Sequence, residues 1–97
     1  MIDYDFKTTF WSDFSIADKF GKRAILDTYN RAFNEWKSDY IYLTELVLVL
    51  NWKIWQHYEE GRHEIAQIYN TLWEKTQSYA YSHLKGEELD YCIRTLD

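Results

Sequence analysis

The chain has 97 residues, enough for one domain and too few for two ordinary ones. Hydrophobic residues make up 46% and aromatics 20%, which excludes a disordered chain; a domain of this size buries roughly 60–65% of its extended surface and can hold a core without metal or disulfide. The net charge of −5, with Lys19, Lys22 and Arg23 as the one basic cluster, argues against the basic stripe of a conventional nucleic-acid binder.

Helical periodicity begins at about Thr9 and runs to Phe20, with Phe10, Phe14 and Ala17 on one face and Phe6, Trp11, Ile16 and Phe20 spread around it. A second helix is expected from Lys22 to Lys37. Its stripe of Ile25, Tyr29, Ala32, Phe33 and Trp36 lies away from Asp27, Asn30, Arg31 and Asn34.

The third segment, about 39–60, contains the run Leu46-Val47-Leu48-Val49-Leu50, which by itself reads as a strand or part of a membrane span. The wider window decides for a helix: Leu43, Leu46, Val47, Leu50, Ile54 and Tyr58 share one face over about five turns. Glu45 and Lys53 bracket only seven uncharged residues, far short of the roughly 20 that a span requires, so no membrane partner is expected. Ser38 or Asp39 supplies the N-cap. The opposite face is apolar too. Ile41, Leu48 and Trp55 recur every seven residues and Trp52 joins them, while Glu45, Lys53 and Gln56 are scattered along one flank. A helix apolar on two faces is either sandwiched between neighbours or offers one face to a partner. Ile41, Tyr42, Leu48, Trp52 and Trp55 are therefore the candidate partner-binding residues, since Trp and Tyr dominate interface anchors. The competing reading packs Trp52 and Trp55 against the first helix and the N-terminal segment, whose Phe6, Phe10, Trp11 and Phe14 also need partners.

A fourth helix is expected over about 62–84, with Ile65, Ile68, Tyr69, Leu72, Thr76, Tyr79, Ala80 and His83 inward. A short last helix follows Gly86 with Leu89, Cys92, Ile93 and Leu96 inward. Proline is absent, and the three glycines, Gly21, Gly61 and Gly86, each fall where a helical pattern ends. The connection around Gly61 is short enough to force antiparallel neighbours. The expected fold is a single all-α domain over residues 1–97, a compact bundle of four to five helices built on a long central αα-hairpin of about 39–60 and 62–84.

Chemistry-bearing motifs are sparse. His57, Glu60, His63 and Glu64 are close in sequence, but Gly61 interrupts the helix between the two histidines and the spacing matches no metal motif. His57 reads as a hydrogen-bonded histidine at the core margin. Cys92, the only cysteine, sits in the acidic stretch ELDYCIRTLD and fits the inward pattern, so it reads as a small core residue. No catalytic residue, metal site or cofactor is expected, and the chain reads as non-enzymatic. The N-terminal MIDYDFKTTFW lacks a basic region followed by an apolar run, so the expected location is cytoplasmic.

Taken together, DTYNRAFNEWKSDYIYLTELVLVLNWKIWQHYE and LKGEEL resemble short uncharacterised helical proteins of gut bacteria, their phages and mobile elements. The resemblance covers most of the chain from about Phe10 onward and carries no established activity or functional residue. It implies a cytoplasmic accessory protein, and small acidic proteins of such elements often act by binding host or defence proteins; occlusion of the partner's functional surface is the mechanism expected here. The expectation is thus a protein-interaction module, with a homo-oligomer as one form of partner. The alternative is a nucleic-acid-associated regulator using Lys19, Lys22 and Arg23.

Overall fold

A computed structural model describes residues 6–96, the Phe6 side chain excepted; the acidic pair Asp3 and Asp5 lies outside the described residues. These form five helices: α1 (Phe6–Asp18), α2 (Lys22–Trp36), α3 (Tyr40–Glu59), α4 (His63–His83) and α5 (Glu87–Leu96). No strand occurs among them, so the Leu46–Leu50 run is helical. No helix among the described residues is long and apolar enough to cross a membrane.

Helix α3 is the axis of the bundle because it is apolar nearly all round. Asp39 starts it, its carboxylate accepting from the backbone N–H groups of Ile41 at 3.0 Å and Tyr42 at 3.3 Å. Gly61 stops it. At φ +79° this residue occupies the left-handed region. Its N–H bonds the Tyr58 carbonyl at 3.2 Å, and the Arg62 N–H bonds the His57 carbonyl at 2.8 Å. The pair is a Schellman cap, which satisfies carbonyls the helix would otherwise leave bare. The chain then reverses directly into α4. Leu43, near the start of α3, packs with Ala80 and Leu84 at the end of α4, while His57, near the end of α3, stacks on Tyr69. The hairpin is antiparallel, as the short connection predicts.

Two apolar clusters are threaded on α3. Toward α1 and α2, Phe10, Phe14, Ala17, Ile25 and Tyr29 meet Leu46, Val49 and Leu50, with Tyr69 and Leu72 closing the α4 side. At the other end, Leu43, Ala80, Leu84 and Cys92 pack together under Phe33, Tyr40 and Leu89, which confirms Cys92 as a core residue. Two buried hydroxyls inside this core satisfy each other. Thr76 donates to the Leu72 carbonyl at 2.7 Å, and the Tyr29 hydroxyl bonds Thr76 Oγ1 at 2.7 Å. Burial raises the Tyr29 phenol above its ordinary value.

Several inward assignments need correction. Tyr58 is 55% exposed: it sits in the last turn of α3, where its ring meets only Trp55 and His63. Ile93 is exposed because Leu89, Cys92 and Leu96 fill the narrow arc that the ten-residue α5 turns to the core. His83 is exposed and stacks on Tyr79. Helix α1 starts at Phe6 and ends at Asp18, two residues before the expected end, as the N–H of Phe20 turns back to the Ala17 carbonyl at 2.9 Å.

Candidate functional site

Two features converge on the C-terminal half of α3. On its outer side, Trp52 is 43% and Trp55 58% exposed, with Ile41 at 37% and Tyr58 beyond them; Leu48 is half-buried. Nothing among the described residues covers the tryptophans. Of the aromatic residues that were their expected alternative partners, Phe10 and Phe14 lie in the core and Trp11 lies over Lys53, while the N-terminal segment and the Phe6 side chain lie outside the described residues. Tyr42 diverges from the other candidates. It turns toward α2 and meets Trp36 edge-on, ring centroids 4.6 Å apart. The structure thus brings Leu48, Trp52 and Trp55 together on one ridge, sets Ile41 two turns before Leu48, and places Tyr42 on the flank.

On the inner side of the same turns lies a polar cluster that the sequence pattern did not reveal. Lys53 is fully buried. Its ammonium donates to Asp18 Oδ2 at 2.9 Å, Ser15 Oγ at 2.7 Å and Gln56 Oε1 at 3.0 Å, so all three protons are used. It also lies 4.2 Å from the ring centroid of Trp11, which adds a cation–π contact. Asp18 is the hub. Its Oδ2 also meets His57 Nε2 at 2.9 Å, and its Oδ1 accepts from the Tyr69 hydroxyl at 2.5 Å.

The histidine tautomer follows from its partners. Arg62 Nε donates to His57 Nδ1 at 2.9 Å, and an arginine can only donate. Nδ1 therefore carries no proton, and Nε2 carries the one given to Asp18. The ring lies nearly parallel to Tyr69, 8° between planes. Burial first, and then the Asp18 carboxylate beside it, push the Tyr69 phenol far above its ordinary value. Arg62 also pairs with Glu60 on the surface.

This arrangement is saturated. Lys53 is paired with a carboxylate and so is a charged donor to Ser15, not a base that could activate it. His57 has both nitrogens engaged. An open hollow of about 350 Å³ adjoins the cluster, lined by Ser15, Lys19, Gln56, Arg62 and Ile65 among others. Within the described residues, no three His, Cys, Asp or Glu side chains are grouped to hold a metal ion. His63, the second histidine of the sequence cluster, faces away and meets Tyr58 at 4.7 Å. Lys19, Lys22 and Arg23 are all exposed around the α1–α2 turn.

The sequence held one signal for the cluster. Lys53 and His57 are four apart, so they share a face, and that face lies between Val49 and Leu50. The residue type of Lys53 outweighed its angle. Compared with protein-family models, curated proteins and solved structures, the chain matches none.

Proposed function

We propose that this chain is a non-enzymatic protein-interaction module whose contact surface is the outer face of α3. The observation that carries the reading is the exposure of two tryptophans one turn apart, 43% and 58%, on the most buried helix of the bundle. Exposed tryptophan at the centre of an apolar ridge is the composition of an interface anchor. Ile41 and Leu48 extend the ridge toward the start of α3, and Tyr42 borders it. Such a face needs no chemistry of its own, since it acts by covering its partner's functional surface. That fits an accessory protein that occludes a host or defence factor.

The test replaces Trp52 and Trp55 with glutamine in one variant. Both side chains are outside the core, so helicity and melting temperature stay near those of the parent. Affinity capture from the cells that make the protein, with and without the substitutions, then identifies a partner held by the parent and lost by the variant. Collapse of the fold on substitution would place the tryptophans in the core and end the reading. A second reading, a nucleic-acid-associated regulator, draws support from the exposure of Lys19, Lys22 and Arg23. Salt-dependent binding of duplex DNA, lost on replacing these three, is its test.

A further inference from the structure

The charge distribution around the α3 ridge specifies the partner more closely. The outer face is built on a seven-residue step, Ile41–Leu48–Trp55, with Trp52 and Glu59, themselves seven apart, in a second row beside it. Seven is the repeat with which one helix follows another along a shared seam. From Ile41 to Trp55 the ridge rises fourteen residue steps, about 21 Å of helix. Lys53 is the only Lys or Arg in α3, and it is turned inward and fully buried against Asp18. The exposed side of α3 therefore combines aromatic surface with the Glu59 carboxylate and carries no Lys or Arg of its own. Glu59 stands exposed one turn past Trp55, and Glu60 follows it. Arg62, the next cation along the chain, is committed to His57 and Glu60.

We infer that the outer face of α3 binds a basic amphipathic helix of another protein, one whose apolar stripe packs on Leu48, Trp52 and Trp55 while its Lys or Arg residues meet Glu59 and the tryptophan rings. The inference rests on the reading of this face as a contact surface and names the chemistry of what it contacts. Cations over Trp faces add cation–π attraction to the ion pair. A hollow of about 300 Å³ between α3 and α4, lined by Ile54, Tyr58, His63 and Ala66, adjoins the ridge and has room for one apolar side chain of the incoming helix. A second copy of this chain fits worse. Pairing α3 with itself would supply no Lys or Arg of that helix to meet Glu59, and would join two bodies that each carry −5.

The experiment uses the full chain and two probe peptides of about 14 residues, two heptads, one leucine/lysine and one leucine/glutamate, titrated by calorimetry. The leucine/lysine helix is expected to bind and the leucine/glutamate helix not to. W52A/W55A should weaken binding at least tenfold. E59Q should weaken it several-fold and flatten its decline with salt. Circular dichroism checks the folding of each variant, and W55A alone replaces the pair if the pair does not fold. Equal binding of both peptides, or indifference to salt and E59Q with W52A/W55A still disruptive, overturns the basic partner and leaves the contact surface standing. Undiminished binding of the leucine/lysine peptide to W52A/W55A overturns both. A dimer in solution that W52A/W55A converts to monomer assigns the face to a second copy and overturns the inference.

Discussion

Replacing Asp18 with alanine isolates what the buried cluster contributes. The substitution takes the acceptor from three donors at once: Lys53 Nζ, His57 Nε2 and the Tyr69 hydroxyl. Tyr69 retains a long contact to the Phe14 carbonyl at 3.4 Å, and Lys53 retains Ser15 and Gln56. Neither Ser15 nor Gln56 bears charge, so a fully buried ammonium loses its only carboxylate. Breaking a buried pair from one side costs about 3–5 kcal/mol. Asp18 itself is 14% exposed and the adjoining hollow admits water, which places the expected loss near the lower figure, about 3 kcal/mol. A chain of this length has about 5–15 kcal/mol in total, so the midpoint of urea unfolding should fall sharply with little change in slope. The thermal midpoint should drop by about 12–24 °C. Asp18→Asn should cost less, because its amide oxygen can still face Lys53 and His57 while its NH₂ donates to Tyr69. Adding Lys53→Met to Asp18→Ala removes the stranded charge and should recover much of the loss, a coupling of about 2 kcal/mol or more in the double-mutant cycle. A cost under about 1 kcal/mol for Asp18→Ala, or simple additivity with Lys53→Met, would show that Lys53 is solvated and that the cluster does not hold α1 on α3.

Three further outcomes are expected. Asp39→Ala removes the N-cap of α3 and should cost about 1 kcal/mol, read as a fall of about 4–8 °C in the thermal midpoint. Gly61→Ala meets no atom within 4 Å, so its cost is the left-handed backbone alone, about 1–2 kcal/mol. Tyr29 and Tyr69 both hold their protons more tightly folded than unfolded. Their contribution is complete below the ordinary tyrosine value of about 10 and is lost as pH climbs above it toward their raised folded values. Their ionisation, followed by tyrosinate absorbance, should therefore coincide with alkaline unfolding, and Tyr69→Phe should make that unfolding less steep.

The helices were legible because their signals are local. The long hairpin was expected at about 39–60 and 62–84 and is found at Tyr40–Glu59 and His63–His83, since Asp39 and Gly61 each act through the backbone next to them. The inward set Leu43, Leu46, Val47 and Leu50 followed from angle alone. What failed was information carried by distant partners. Lys53 is buried because Asp18 and Ser15, 35 and 38 residues earlier, arrive with a carboxylate and a hydroxyl. No window along the chain contains that fact. Tyr58 and Ile93 failed for the complementary reason. A helical wheel marks the face that points inward but not the level at which the neighbouring helix ends.

The two sides of α3 explain each other. Its outer ridge can act as an anchor only if the helix holds its shape without a covering layer, and the last turns of a helix are normally the ones that fray. Here those turns are tied from beneath. Lys53 and His57 bind Asp18 at the end of α1, Tyr69 clamps the same carboxylate from α4, and Arg62 fixes His57 from beyond the Schellman turn. A ridge held this way loses less conformational entropy when a partner lands on it, so more of its contact energy becomes affinity. An apolar inner face could bury as much surface, but the ionic hub also fixes which turn of α3 faces which residue of α1. A one-residue rotation of α3 would carry Lys53 about 100° away from Asp18. The same rotation would carry Trp52 and Trp55 off the outer face. The buried ion pair thus sets the register of the helix whose exposed side presents the tryptophans.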